Sequence, residues 1–266
     1  MTAPNLTTLA RVKSWLGIST TTDDTLLSQL VSAASRFVYG HINMPTVAVT
    51  SYAERRDGHS NYWITPHEWP LISVESIQYA GYSITAEATG NPLNNGYSLQ
   101  SPNVGPTRIS VHGYPPFPQG KNTVLLNYTA GFKITDEEQT VPASGEYTIS
   151  VDQVWAGNIS VKDSGDNILT EVASGPASGE YSVSSTGVYT FNAAQAGEAM
   201  YISYSYVPAD LAQAVTELVG ATYQSKDRIG IRSKSLGGQE TISYFQNEIT
   251  PHMALLMQPY MRVVPR

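Results

Sequence analysis

The sequence predicts an α+β protein: a domain of helices and a small antiparallel β-sheet, with an all-β, sandwich-like domain inserted into it. Three observations support this fold class. Apolar residues recur every three or four positions near both ends of the chain, they alternate in the middle, and turn residues divide the stretch 141–207 at short intervals. The chain has 266 residues, of which 41% are hydrophobic, so it can bury a substantial core.

Two helices are expected at the start of the chain. Asn5 is the expected N-cap of the first, and Gly17 ends it, because glycine adopts the left-handed C-terminal conformation without steric cost. Asp23 and Asp24 place negative charge at the start of the second, which is expected to end at Gly40. The apolar residues of the second helix are Leu26, Leu27, Leu30, Ala33, Ala34 and Phe37.

Residues 45–132 show an apolar period of two, which indicates β-strands. The segment 55–59 is expected to be a hairpin turn, because it contains Asp-Gly between two alternating runs. Further strands are expected at 71–79, 97–99, 107–111 and 123–128. The predicted result is a small antiparallel sheet or barrel.

Residues 141–207 are expected to form a separate β-sandwich or barrel. The hexapeptide Pro-Ala-Ser-Gly-Glu-Tyr begins at Pro142 and again at Pro176, and Val-Pro-Ala both opens and closes the stretch. Insertion of a domain is best tolerated at an exposed loop, because the two ends of a domain commonly lie close together. The predicted domains are therefore 1–140 with 208–266, and 141–207.

A helix over 208–223 is predicted to be the core helix. Its apolar positions lie on one stripe, and its other side carries the small residues Ala212, Gly220 and Ala221, which allow another backbone to approach closely. A basic stretch, a strand at 240–245 and a last helix from Thr250 follow.

Composition and charge exclude several classes of function. The net charge is −7 with a pI near 5.2, so generic adhesion to the nucleic-acid backbone is not expected. The absence of cysteine excludes disulfides and a cysteine nucleophile, and it fits a reducing cytoplasm. Neither a signal peptide nor a membrane-spanning segment is indicated, because no stretch approaches about 20 apolar residues.

No catalytic set is indicated, so the chain is expected not to be an enzyme and to hold no cofactor and no metal. The five histidines lack the spacing of metal ligands. His67 and Glu68 lie in an extended segment, where their side chains are expected to point to opposite faces. A turn is favoured over a calcium loop at 163–167, since the alternating ligands and the terminal glutamate are missing.

The order of several segments resembles the head-to-tail connector family of tailed bacteriophages, also called adaptor or head-completion proteins. The resemblance covers residues 5–132 and 208–266, and the stretch 141–207 departs from it. The segments are Leu6-Thr-Thr-Leu-Ala-Arg-Val-Lys-Ser-Trp-Leu-Gly, Asp23-Asp-Thr-Leu-Leu, Trp69-Pro-Leu-Ile-Ser-Val, Asn127-Tyr-Thr-Ala-Gly-Phe, Val207-Pro-Ala-Asp-Leu-Ala-Gln-Ala-Val, Ser233-Lys-Ser-Leu-Gly-Gly and Gln258-Pro-Tyr-Met-Arg.

The resemblance implies a structural virion protein of the head–tail neck, assembled in the host cytoplasm. Such a protein forms a ring, often of twelve copies, between the portal and a downstream neck or tail protein. Double-stranded DNA passes through the ring without sequence-specific binding. The subunit-interface candidates are Ala212, Gly220 and Ala221, and the portal-docking candidates are Lys226, Arg228, Arg232, Lys234, Tyr260 and Arg262.

Two other functions remain as alternatives. The first is a glycan- or receptor-binding virion module that uses the tyrosine-rich insert, because aromatic rings stack on sugars. Its candidate residues are Tyr181, Tyr189, Tyr201, Tyr204 and Tyr206. The second is a hydrolase that acts on glycans through paired carboxylates, with Glu68 or Asp152 as its candidates.

Overall fold

The computed structural model describes residues 3–85, 95–100, 107–226, 233–236, 240–243 and 249–262. Contacts divide the chain into two compact units. The first unit consists of Met1–Val47 and Ile134–Arg266, and the second of Ala48–Lys133. The expected domain 141–207 falls inside the first unit, and its boundaries stay a prediction.

Two helices open the chain, α1 at Leu9–Leu16 and α2 at Asp24–Ile42. Thr8 caps α1 in place of the expected Asn5: its hydroxyl oxygen accepts a hydrogen bond from the Arg11 N–H at 3.2 Å. The helix starts later than expected because Leu6, before the cap, is already fully buried. Gly17 ends α1 in the left-handed conformation, as predicted. α2 continues past Gly40, because Asn43 provides its left-handed cap.

The described residues of the second unit form seven strands in two antiparallel sheets. The four-stranded sheet has the order β1-β7-β3-β4, and the three-stranded sheet has the order β2-β6-β5. Both contribute to one core, in which Tyr128, Phe117 and Ile109 have almost no exposed surface. The strands are β1 (Thr50–Gly58), β2 (Trp63–Ile64), β3 (Leu71–Tyr79), β4 (Tyr82–Ile84), β5 (Gly96–Gln100), β6 (Arg108–His112) and β7 (Gly120–Ala130).

The hairpin turn expected at 55–59 is wrong. Strand β1 continues through this segment to Gly58, and β2 pairs with β6 instead of β1. The reason is that β7 is eleven residues long and offers backbone partners along the whole of β1, from Thr50 opposite Ala130 to Gly58 opposite Gly120. Pairing over this length outweighs the local Asp-Gly turn signal.

In the described residues, the seven strands β8–β14 lie in the first unit, except for Lys133 at the start of β8, and form sheets with the orders β10-β14-β8 and β11-β12-β13-β9. One core joins the two sheets, and it includes Val161, Tyr189 and Ile202. β10 with β14, β12 with β13 and β13 with β9 pair antiparallel, whereas β11 and β12 pair parallel. The strands are β8 (Lys133–Thr140), β9 (Thr148–Ser150), β10 (Val154–Asp163), β11 (Thr170–Glu171), β12 (Glu180–Val183), β13 (Val188–Phe191) and β14 (Ala199–Val207).

The repeated hexapeptide has a structural counterpart. Its two copies lead into β9 and β12, which flank β13 on opposite sides. At the same position of β13, Phe191 pairs with Tyr181 on one side and donates its N–H to the Tyr147 carbonyl, at 2.9 Å, on the other. The repeat therefore marks two strands that pair with the same central strand.

The chain continues with α3 (Ala209–Ser225), a hairpin of β15 (Ser233–Leu236) and β16 (Glu240–Ser243), and α4 (Pro251–Met257). Thr250 caps α4 by accepting a hydrogen bond from the Met253 N–H at 3.2 Å, as the Thr-Pro start predicts. Helices and largely antiparallel sheets make the described part of the chain α+β, so the α+β class is confirmed, and the arrangement as a helical domain with an inserted all-β domain stays a prediction.

Candidate assembly surfaces

Helix α3 lies at the centre of the helical part of the first unit. It contacts α1, α2 and α4, and its residues Leu211, Val215 and Val219 are fully buried. Contacts with the other three helices leave only a narrow exposed side on α3. α3 is therefore the core helix of this group of helices, as predicted.

A buried pair of hydroxyl groups connects the start of the chain to α3. The Oγ1 atoms of Thr7 and Thr216 lie 2.8 Å apart, and both residues are at most 2% exposed. The Thr216 hydroxyl donates to the Ala212 carbonyl at 2.7 Å, so the proton between the two threonines comes from Thr7. All polar groups of the pair are thereby satisfied.

The three subunit-interface candidates have different environments. Ala212 has no exposed surface, and Gly220 is buried against α1: a Cβ atom at Gly220 would lie 3.2 Å from Cδ1 of Trp15. Ala221 is exposed. Ala212 and Gly220 thus allow close packing within one chain, and Ala221 is the member of the set that presents a surface. Their role between subunits stays a prediction.

Helix α1 lies along one flank of α2. The Leu6 N–H donates to Ser35 Oγ at 2.9 Å, and the Tyr39 hydroxyl donates to the Pro4 carbonyl at 3.0 Å. Lys13 adds an ion pair to Asp24, with 2.7 Å between Nζ and Oδ1. Ser35 and Tyr39 of α2 thereby hold the segment before α1, while Asp24 holds α1 itself.

The other flank of α2 carries an apolar stripe, here called the α2 stripe, formed by Leu26, Leu30, Ala33 and Phe37. Leu26 is 37% exposed and Phe37 is 41% exposed. Ala33 is exposed and Leu30 is half-buried. Most apolar residues of a surface helix face the core, so an apolar line of this length on a second face marks a candidate contact surface.

The portal-docking candidates at the end of α3 are partly engaged within the chain. The Lys226 ammonium group lies 4.3 Å from the ring centroid of Tyr223, a cation–π contact. The Tyr223 hydroxyl donates to Asp23 Oδ2 at 2.5 Å, and this hydrogen bond raises the Tyr223 pKa. Arg228, Arg232 and the side chain of Lys234 lie outside the described part of the chain.

The C-terminal candidates pack on the helices. The Tyr260 hydroxyl lies 3.4 Å from Asp210 Oδ2, and burial, assisted by the charge of Asp210, raises the Tyr260 pKa to about 12. Arg262 is 8% exposed, and its N–H donates to the Ile42 carbonyl at 3.0 Å. Asn43 Nδ2 donates to the Arg262 carbonyl at 3.2 Å. The chain is therefore held against the end of α2 as far as Arg262, and docking through Tyr260 and Arg262 stays a prediction.

The negative charge is concentrated in one part of the chain. Residues 134–207 contain ten aspartates and glutamates but a single basic residue, Lys162. Lys162 pairs with Asp136 at 3.6 Å and with Asp166 at 3.4 Å. The remainder of the chain contains fourteen basic and twelve acidic residues, so the net charge of −7 comes entirely from 134–207.

Three of the five tyrosines considered for glycan stacking are core residues. Tyr181, Tyr189 and Tyr204 are at most 2% exposed, and Tyr201 and Tyr206 are half-buried. The Tyr189 hydroxyl donates to Asn158 Oδ1 at 3.0 Å, and Asn158 Nδ2 donates to the Tyr181 hydroxyl at 2.7 Å. Burial raises the pKa of Tyr189 to about 12. These three rings therefore stabilise the two-sheet core and are not accessible to a sugar.

The expectation that His67 and Glu68 point apart is wrong. His67 Nδ1 lies 2.8 Å from Glu68 Oε1, because the segment turns here and the Glu68 N–H donates to the Tyr128 hydroxyl at 3.1 Å. At 163–167 the Asp163 carboxylate accepts hydrogen bonds from Gly165 and Asn167, as a turn does. Among the described residues no group of three or more metal-ligating side chains is present.

The sequence model of the family described as "Head completion protein" matches residues 122–263, which is more than half of the chain. This chain belongs to the head completion protein family. A second family, described as "Phage gp6-like head-tail connector protein", matches residues 6–80, which include α1 and α2. The match of the family model extends from β7 through β14 to α3 and α4. The resemblance to this kind of protein, inferred from the order of the segments, is confirmed, and the match also spans 141–207, the stretch expected to depart from it.

Comparison with curated proteins and with solved structures gives no further family for this chain. No curated protein matches this head completion protein. A chain from a solved structure described as the neck of an empty GTA particle, computed with C6 symmetry, is 15% identical, with a TM-score of 0.41. That similarity covers 97% of this chain and 90% of the other.

The family gives this head completion protein a structural role in the phage particle, at the connection between head and tail. Both matched families are named for structural components and not for a reaction. Membership implies assembly with portal and tail components. In the described part of the chain, no helix is long and apolar enough to cross a membrane.

The α2 stripe was missed as a separate surface in the sequence of this head completion protein. In the sequence, its residues form one apolar face with Leu27 and Ala34. At about 100° per residue, the combined set spans about 120° of the helix circumference, which is the width of one ordinary core-facing stripe. The sequence therefore contains no signal that separates the α2 stripe from the core face. The exposure of Trp15 has no sequence signal either, because an apolar helix position is normally buried.

Proposed function

We propose that the protein forms a ring of twelve copies between the portal of the phage head and the tail. The ring provides a channel for DNA passage and a docking surface for the tail. The observation that supports this proposal is the family match over 122–263, which includes the helices α3 and α4. The protein is then a virion component of the neck, assembled in the host cytoplasm.

Copies contact one another through the helices, and Ala221 is an exposed residue of α3 available for this contact. The basic residues Lys226, Arg228, Arg232 and Lys234 dock on the portal, together with Tyr260 and Arg262. Residues 141–207 form an inserted domain of the same protein. Its core of buried tyrosines gives no support to the alternative of glycan binding.

The acidic character of 134–207 favours free passage of DNA. DNA is held by proteins that neutralise its phosphates with lysine and arginine, and this part of the chain has one lysine and ten acids. Purified rings should therefore not retain double-stranded DNA in a filter-binding assay, even at low salt. Tight retention that weakens steeply as salt is added would contradict this part of the proposal.

The test of the proposed function is the mass of the purified protein by light scattering, alone and mixed with its portal. Negative-stain images of the same fractions show whether rings form. We expect rings in at least one sample, with a copy number given by the mass. A compact monomer in both samples, without portal association, would overturn the proposal.

A further inference from the structure

The α2 stripe and α1 lie on opposite sides of the same helix. At about 100° per residue, the three α2 residues that hold α1 and its leading segment point roughly 180° away from the stripe. These residues are Asp24, Ser35 and Tyr39, with contacts of 2.7, 2.9 and 3.0 Å. Between the two flanks, the side of α2 with Leu27, Val31 and Val38 is buried in the core. One copy of the protein therefore has two different helical surfaces that face away from each other.

The surface beyond α1 consists of the residues exposed on that helix, Ala10, Ser14 and Trp15, here called the α1 face. Trp15 is 55% exposed even though its ring packs against Gly220. Ala10 and Ser14 are small and project little beyond the helix backbone. The α1 face is thus a shallow surface with a large aromatic ring at one end.

We propose that the α2 stripe of one copy packs on the α1 face of the next copy. This inference rests on the ring proposed above and identifies the two surfaces that join its subunits. A closed ring requires a head-to-tail contact between two different surfaces, whereas contact of a surface with itself produces a two-fold dimer. The α2 stripe and the α1 face meet that requirement, because they differ and lie on opposite flanks.

The two surfaces are also complementary in shape. Leu26, Leu30 and Phe37 project as a ridge, and ridges of one helix pack into the space above small residues of another. Ala10 and Ser14 provide that space. Trp15 supplies the large, well-placed aromatic group that commonly contributes most to the stability of an interface.

The test uses engineered cysteines, because the natural chain contains none. The double variant Ser14→Cys with Ala33→Cys places one thiol on the α1 face and one on the α2 stripe, both at exposed positions. The protein is assembled on its portal, treated with an oxidant or a short bis-maleimide, and separated on a denaturing gel. We expect a ladder of covalent oligomers that extends to the ring size, at least tenfold stronger than with either single variant.

A matched control places the second thiol on the polar side of α2. Ser32→Cys with Ser14→Cys moves the second thiol by one position along α2, or about 100° around the helix, and should give no ladder. Covalent dimers from Ala33→Cys alone would show that the stripe packs on itself and would overturn the inference. Rings that form without any ladder from the test variant would overturn it as well.

The result separates this inference from the proposed function. If rings form on the portal but do not crosslink, the ring function stands and the assignment of its surfaces fails. If no ring forms on the portal with the natural chain, the proposed function fails and the inference fails with it. Images of each sample before crosslinking distinguish the two cases.

Discussion

Two threonines separated by 209 positions share a buried hydrogen bond, and this contact shows how single residues hold the helices together. Thr7 precedes α1 and Thr216 lies in the middle of α3. Neither hydroxyl can reach water, so each depends on the other or on the Ala212 carbonyl. Loss of one member leaves a buried polar group without its partner, which costs more than loss of both.

Substitution of one threonine by valine should destabilise the protein, and substitution of both should restore much of the loss. We expect Thr216→Val to lower the free energy of unfolding by about 1–3 kcal/mol, because the Thr7 hydroxyl then lacks its acceptor. The double variant with Thr7→Val should lie closer to the natural protein than the sum of the single effects. Urea unfolding of all four proteins measures this cycle, and strict additivity would contradict the coupling.

The neighbours Gly220 and Ala221 provide a second prediction for single residues. Gly220→Val should lower the free energy of unfolding by about 1–3 kcal/mol, because its side chain would overlap the Trp15 ring. Ala221→Val, one position further along α3, is the matched control and should change it by about 0.5 kcal/mol or less. Thermal unfolding compares the two, and equal losses would contradict the assigned packing.

At the level of elements, α2 has three functions around its circumference. One flank holds α1, the side next to it forms part of the core, and the flank opposite α1 exposes the α2 stripe. A helix with a single apolar face would serve the core alone. The additional apolar flank adds little to the stability of one copy, and in the proposed assembly it forms the contact with the next copy.

The functions of the two apolar flanks can be separated by substitution. Phe37→Ser should leave the unfolding free energy of one copy within about 0.5–1 kcal/mol, since the ring is 41% exposed, and should reduce ring assembly on the portal. Leu27→Ala, in the buried flank, should instead lower it by about 2–5 kcal/mol. Thermal unfolding and negative-stain ring counts test both. Normal rings from Phe37→Ser would contradict a role of the stripe in assembly.

For the whole molecule, the distribution of tyrosines determines the response to alkaline pH. Burial raises the pKa above 10 for several tyrosines in both units, among them Tyr39, Tyr128, Tyr189 and Tyr204. A phenol whose folded pKa is raised binds its proton more tightly in the folded state. Its contribution to stability is complete below the unfolded pKa of about 10 and is lost as the pH rises through the folded value.

The contribution of these tyrosines to the free energy of unfolding should therefore be constant up to about pH 10 and should decrease above it. Absorbance of phenolate at 295 nm should show that the tyrosines with a raised pKa ionise only together with unfolding. Circular dichroism over the same pH range follows the fold. Ionisation of all seventeen tyrosines near pH 10 without loss of structure would contradict the prediction.

The sequence by itself determined the α+β class, the four helices to within a few residues, the predominance of antiparallel strands and the family. These features depend on local periodicity, caps and the order of segments, and the amino-acid sequence alone contains all three. Long-range pairing overrode local signals at 55–59, where β7 keeps β1 extended, and at His67 with Glu68, where Tyr128 holds the turn. Only the tertiary structure decided which small residues of α3 are internal, since Gly220 meets Trp15 from a distant segment while Ala221 faces outward. Likewise, it separated the α2 stripe from the core, because the choice between two apolar flanks depends on which one the rest of the chain covers.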